Sequence, residues 1–229
     1  MKIENNEYYN TISTIYEKQR TSKYFSLINE IEIDTIIPHI KNKRVLEIGC
    51  GTGLILQEAT KYASSAVGID TSKKMLNIAK NKKLKVFQAD ANKIPFPDRH
   101  FDVVYSFKVL AHVKNIENTL NEIARVTKPN GKLFLEFYNP YSFKRISNLI
   151  SKPKNYTRYD SLKNIKKMLP QDIEYIGYRG IRSILIFKQL LNIPILSKII
   201  YYLEKKYSPK ALGRFGGYFI VILNKKNGN

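Results

Sequence analysis

Val45-Leu46-Glu47-Ile48-Gly49-Cys50-Gly51-Thr52-Gly53 is an apolar run that enters a loop with glycine at every second position. A short apolar run closed by glycine reads as a buried strand followed by a tight turn. Such a turn alone reports little, because tight turns need glycine for steric reasons. Two spaced carboxylates, Asp70 and Asp90, close the next two apolar runs. Three such elements at the ends of three successive strands point to a nucleoside-binding site.

Outward from this stretch, short apolar runs alternate with amphipathic ones. Strands are expected at 44–48, 66–69, 85–89, 103–105 and 132–138, with helices from about Leu54, from about Ser72 and over 116–126. This alternation predicts a Rossmann-like α/β fold, a mostly parallel sheet with helices on both faces. Residues 1–40 read as an N-terminal helical segment or lid, its apolar stripe built from Leu27, Ile28, Ile31, Ile36 and Ile37, with Pro38 disturbing its end. Pro129-Asn130-Gly131 reads as a turn before the fifth strand. Residues 41–140 form the core, and 141–229 complete the sheet within a single domain. There a helix ends near Leu169-Pro170, strands lie at 174–178 and 218–223, and residues 181–215 form a long helical insertion before the last strand.

At 229 residues, with 43% hydrophobic and 25% charged content, the chain is of soluble globular composition. Its single cysteine, Cys50, excludes an internal disulfide and makes a cysteine-based zinc site improbable; nothing else calls for a metal. A reducing cytoplasm is the expected location, since the N-terminus has no secretory apolar region and the most apolar run, 181–203, is interrupted by Arg182, Lys188, Pro194 and Lys198. The net charge of +20 is uneven: residues 1–140 hold 21 Lys+Arg against 15 Asp+Glu, and residues 141–229 hold 18 against 4. A low-GC genome raises the lysine total but does not account for the asymmetry. A basic half suits nucleic acid, an anionic membrane surface or an acidic substrate.

The glycine loop lets a ligand approach its backbone, and the helix after Gly53 is expected to aim free N–H groups at it. Ligands of open parallel sheets sit beyond the carboxyl ends of the strands, near the order reversal. There Asp70 can accept both hydroxyls of a ribose, Asp90 can accept an adenine amine, and the Ala91 N–H can meet a ring nitrogen. The spacing is G-x-G-x-G, not the G-x-G-x-x-G of a dinucleotide site, and no P-loop lysine follows. Glu47, in a buried strand, needs a partner, which either loop N–H groups or a ligand ammonium would supply.

E-I-G-C-G-T-G, G-I-D-T-S, Q-A-D-A, I-P-F-P-D-x-x-F-D-V-V and the P-N-G-K-L strand, in this order over about residues 42–138, resemble the class I S-adenosylmethionine-dependent methyltransferases. The similar branch is the broad type 11 group that includes quinone-biosynthesis methyltransferases. The resemblance implies a seven-stranded sheet with an antiparallel last strand, and S-adenosylmethionine as donor with S-adenosylhomocysteine as product. It places the donor's methionine part at Gly49–Gly53 (Gly49, Cys50, Gly51, Thr52, Gly53), above Glu47. It puts ribose at Asp70, adenine at Asp90 and Ala91, and Thr71, Met75 and Phe107 along the same pocket.

Each residue also has a purely structural reading. The glycines serve as turn residues, Asp70 as a helix cap before Thr71 and Ser72, Phe96 as a packing anchor, and Cys50 as a small loop residue. Methyl transfer from a sulfonium is an in-line displacement, so a base is needed only where the acceptor must lose a proton. His112 and Tyr138 are the candidates for that base, with Tyr141 beside the acceptor; all three can equally be packing residues. Asn139-Pro140-Tyr141-Ser142 resembles the N-P-P-Y motif of amide and adenine N-methylating enzymes, but it follows the fifth strand, not the fourth, and lacks the second proline. It is rejected as evidence for a nucleic-acid amine acceptor.

The late insertion carries Ile184 to Phe187, Leu190, Leu191, Ile195, Leu196, Ile199, Ile200 and Leu203, with helical spacings 191/195/199 and 196/200/203 among basic residues. The expectation is a positively rimmed apolar cap that admits a small or lipid-linked acceptor carrying negative charge, with peripheral contact with an anionic membrane. The plain alternative is a cap packed onto its own sheet. A tRNA or rRNA methyltransferase is the second functional reading, disfavoured because no RNA-binding module is recognisable. A donor-binding protein without catalysis is the third. Acceptor atom and oligomeric state are not readable.

Overall fold

The strand that opens the glycine loop, β1 (Arg44–Ile48), lies inside a seven-stranded sheet. It pairs in parallel with β2 (Ser65–Asp70) on one side and β4 (Phe101–Ser106) on the other, and β3 (Val86–Gln88) lies outside β2. β5 (Thr127–Tyr138) continues the parallel set beyond β4. β7 (Tyr218–Lys225) runs antiparallel to both its neighbours, β5 and the edge strand β6 (Ile173–Ile181). The order is therefore β3-β2-β1-β4-β5-β7-β6, the mostly parallel Rossmann-like sheet that the alternation predicts. The structure is a computed structural model and describes residues 5–20, 22–142, 145, 156–183, 193–207 and 211–227.

Seven helices among the described residues pack around the sheet: α1 (Asn5–Arg20), α2 (Lys23–Ile40), α3 (Leu54–Ala59), α4 (Lys73–Asn81), α5 (Ile116–Val126), α6 (Leu162–Met168) and α7 (Pro194–Tyr207). Successive strand side chains point to opposite faces. Val45 and Tyr105 accordingly join a core with Ile31, Ile36 and Ile40 of α2, Leu56 of α3 and Ala79 of α4. Leu46, Ile48 and Val104 join a second core with Leu120 and Ile123 of α5 and Ile165 of α6. Burial on both faces explains why β1 and β4 read as continuous apolar runs and not as alternating ones.

Local details differ from the sequence reading. The N-terminal helical segment is two helices, and Pro38 lies inside the last turn of α2 without ending it before Ile40. Pro129-Asn130-Gly131 is a bulge inside β5, not a turn ahead of it. Thr127 already pairs with Phe101, the ladder resumes at Lys132 opposite Val103, and Asn130 takes the left-handed φ of 58°. In the insertion, Ile184–Phe187, Leu190 and Leu191 fall outside the described residues. On α7 the two expected stripes separate. Ile200 is buried at 8% exposure, while Ile195 (74%) and Ile199 (51%) face outward.

Candidate functional site

At the carboxyl ends of β1, β2 and β4, where strand order reverses, a cavity of about 450 Å³ opens. Gly49, Gly51, Asp70, Thr71, Met75, Asp90, Ala91, Phe107 and His112 line it, so most of the residues singled out from the sequence meet there. Glu47, Cys50, Thr52, Gly53 and Tyr138 are absent from the lining.

The glycine loop is tied to β2 more tightly than its sequence suggests. The Gly49 and Cys50 N–H groups both donate to the Ile69 carbonyl, at 2.7 and 3.0 Å, and Gly53 N–H donates to the Cys50 carbonyl at 2.8 Å. Gly51 N–H donates to Asp70 Oδ2 at 2.8 Å. The N–H groups of Gly49, Cys50, Gly51 and Gly53 are thus engaged inside the protein. What the loop offers is close approach: Gly51 lines the cavity, has φ +53°, and a Cβ there would stand in open space.

Asp70 is not a helix cap; Ser72 is, its hydroxyl accepting from Met75 N–H at 3.2 Å. The second Asp70 oxygen accepts from Ser72 N–H at 2.8 Å. The carboxylate thus holds the Gly51 and Ser72 N–H groups, with the Thr71 N–H also directed at it, and its two oxygens keep acceptor capacity toward the cavity. Burial pushes the Asp70 carboxyl above its usual range, opposed by the Ser72 and Gly51 N–H bonds. Asp90 is exposed and accepts from the backbone and side chain of Asn92 at 2.8 and 3.0 Å.

Behind the loop, Glu47 is met not by a loop N–H but by a side chain: Oε2 accepts the Tyr105 hydroxyl at 3.3 Å. Burial drives its carboxyl far up, with Tyr105 and the Lys108 charge opposing. A buried acid held above its unfolded pKa opposes folding at neutral pH. Glu47→Gln is therefore expected to leave the midpoint of thermal unfolding unchanged or higher at neutral pH; a lower midpoint would contradict a carboxyl raised by burial. Cys50 is turned into the core against Gly68 and Leu56, and burial pushes its thiol far up, so it is neither a pocket wall nor a nucleophile. Thr52 is buried at 1% exposure, and Gly53 is the N-cap of α3.

His112 Nδ1–H donates to the Tyr156 carbonyl at 2.8 Å, which in the neutral ring leaves Nε2 as the basic nitrogen. Tyr138 packs edge-on against His112, at 5.7 Å between centroids, and burial raises its phenol far above the ordinary value. It is a wall behind His112. Phe96 stacks on His100 and meets Phe87 and Phe101 edge-on, the packing anchor expected, and Tyr141 is exposed. Asn139 donates to the Arg214 and Gly216 carbonyls, both at 2.8 Å, and accepts from Tyr141 N–H, so its N-P-Y-S context is structural.

Tyr9 and Tyr16 line the cavity from α1 and were not foreseen. They lie two helical turns apart with buried Ser13 between them, a spacing visible in the sequence but without a strand to anchor it. Asn10 Oδ1 accepts the Ser72 hydroxyl at 2.7 Å, Glu17 pairs with Lys82, and Lys82 donates to the Thr52 carbonyl at 3.0 Å. These contacts hold α1 across α4 and the glycine loop. Lys108, also unforeseen, has φ 62°, donates its N–H to Glu136, and pairs with buried Glu32 of α2 at 2.6 Å.

The family model of the methyltransferase domain, type 11, matches residues 46–135. An uncharacterised protein of Methanocaldococcus jannaschii is 31% identical over 169 residues, 72% of this chain and 78% of that protein. The ubiquinone biosynthesis O-methyltransferase of Pelagibacter ubique is 32% identical over 119 residues, half of each chain. Among solved structures, an S-adenosylmethionine-dependent methyltransferase of Thermotoga maritima superposes with a TM-score of 0.69, covering 96% of this chain and 98% of that one at 18% identity. The chain belongs to the class I S-adenosylmethionine-dependent methyltransferase family. It spans about half the length of the first curated relatives it matches.

Proposed function

We propose that this protein transfers the methyl group of S-adenosylmethionine to a small or lipid-like acceptor carrying negative charge. The observation that carries the reading is the cavity at the strand-order reversal, which joins a glycine backbone open to close approach with a carboxylate that keeps acceptor capacity. Those residues fit the donor. Asp70 would accept from the ribose hydroxyls, Asp90 and the Ala91 N–H would face the adenine, and Gly49 and Gly51 would lie against the methionine part. Bound there, the donor supplies an electrophilic methyl on a sulfonium, and the protein's contribution is alignment.

Tyr9, Tyr16, Phe107 and His112 give the cavity aromatic walls, which suit a cation and exclude water. In this reading His112, on the cavity wall, would take a proton from an acceptor hydroxyl. Arg20, one face of α1 along from Tyr16, has its guanidinium 5.0 Å from the Tyr16 ring centre and 4.4 Å from that of Phe25, and among the described residues no carboxylate lies within ion-pair distance. The basic C-terminal part, with 18 Lys+Arg against 4 Asp+Glu over residues 141–229, supports an anionic acceptor. The quinone-pathway names among the relatives support a small apolar one. A tRNA or rRNA acceptor has no observation of its own in its favour.

The test is transfer from methyl-labelled donor into separated lipid, small-metabolite, RNA and protein pools of the native cell. Label in the lipid or metabolite pool is expected. Label confined to RNA or protein would overturn the acceptor class, and donor binding with no labelled product would overturn catalysis.

A further inference from the structure

Outside the cavity, α7 exposes a surface that methyl transfer does not use. Ile195, Ile199 and Tyr202 stand at positions i, i+4 and i+7 of one outward stripe, at 74, 51 and 57% exposure. Ile193 and Leu196 extend its N-terminal end, at 48 and 37%. Lys198 and Lys206 are exposed on the same side, and Lys206 Nζ lies 3.1 Å from the Tyr202 hydroxyl. The single acid of the helix, Glu204, is fully buried and accepts the Ser183 N–H at 2.9 Å.

The opposite side of α7 is the anchored one. Ile200 is buried, Tyr201 bonds Glu30, and Lys205 pairs with Asp34 of α2 at 2.5 Å. The helix is thus inverted relative to an ordinary surface helix: polar and ionic contacts fasten it to α2, while isoleucines and lysines look outward. No helix among the described residues is long and apolar enough to cross a membrane.

We propose that this face of α7 docks the protein on an anionic lipid surface, with the helix lying in the plane of the interface. Apolar side chains flanked by lysines are what such a surface binds: the isoleucines enter the acyl boundary and the ammonium groups meet lipid phosphates. Residues 141–229, with 18 basic and 4 acidic residues, supply the long-range attraction. A second copy of the chain is the poorer occupant, because an isologous contact through this stripe sets Lys198 and Lys206 against themselves. The inference stands independently of the methyl-transfer reading, since binding is measured without donor.

The test is sedimentation of the full chain with vesicles of phosphatidylcholine, and with vesicles in which about one third is phosphatidylglycerol, at about 50 and about 500 mM salt. Binding is expected to the anionic vesicles at low salt and to weaken strongly at high salt. Ile195→Ser with Ile199→Ser is expected to reduce partitioning at least about tenfold. Lys198→Gln with Lys206→Gln is expected to reduce it roughly 25-fold, about fivefold per charge. All four positions are exposed, and circular dichroism confirms that each variant is folded. Absence of low-salt binding to anionic vesicles would overturn the proposal, as would binding that survives the serine pair. Concentration-dependent self-association, or RNA binding without vesicle binding, abolished by the same variants, would assign the face to another partner and also overturn it.

Discussion

Asp70→Ala is expected to weaken S-adenosylmethionine binding by about 1–3 kcal/mol, the magnitude of a lost charge-assisted hydrogen bond. The substitution removes the group that would accept from the ribose, and it also frees Gly51 N–H and Ser72 N–H from their 2.8 Å bonds. Asp70→Asn separates these effects, since an amide retains one acceptor oxygen but no charge. The pH dependence follows from the raised carboxyl of Asp70. Donor binding uses the ionised form, so affinity falls as pH drops through a pKa above the ordinary carboxylate range. The donor-free fold responds with the opposite sign. A folded-state pKa raised above the unfolded one means tighter proton binding by the folded chain, so this group adds stability as pH falls. Calorimetric titration across that range, paired with thermal unfolding, reads both trends. A folded Asp70→Ala protein with unchanged affinity refutes the ribose assignment.

Gly49→Ala is the second large effect. Gly49 has φ +71°, and a Cβ there would stand 2.2 Å from Val109 Cγ2. The left-handed backbone costs an alanine roughly 1–2 kcal/mol, and the overpacking adds about 1–3 kcal/mol. Val109 itself lines the cavity, so its displacement also narrows the donor site. Adding Val109→Ala removes both γ-carbon contacts but leaves the Val109 Cβ position 2.9 Å away and the backbone strain in place, so it is expected to recover only part of the overpacking cost. Chemical denaturation of the single and double variants measures the split. An unfolding midpoint unmoved by Gly49→Ala would contradict the loop geometry.

The sheet was legible because β1, β2 and β4 carry burial on both faces, and Arg44–Ile48 and Ile116–Val126 appear in the sequence with the bounds they have in the structure. The loop's hydrogen bonding was not legible, because which amides Ile69 and Asp70 accept depends on register between β1 and β2. Glu47 announced that it needed a partner but not which one. Tyr105 comes from β4, 58 residues away, and only the sheet order brings it close. The walls from α1 were hidden for the same reason, since Tyr9 and Tyr16 acquire meaning only when Asn10 and Glu17 hold that helix over α4. The helical period of α7 is visible in the sequence but its orientation is not, because period defines stripes and ion pairs with α2 decide which stripe is covered.

We assign the cavity beside Gly49, Gly51 and Asp70 to S-adenosylmethionine. Isothermal titration of the full chain with S-adenosylhomocysteine, which has the donor's adenosine and amino-acid parts without its reactive methyl, tests it most directly. Saturable binding at one site per chain is expected, weakened in Asp70→Ala. No binding to a folded chain, or binding that Asp70→Ala leaves intact, would contradict it.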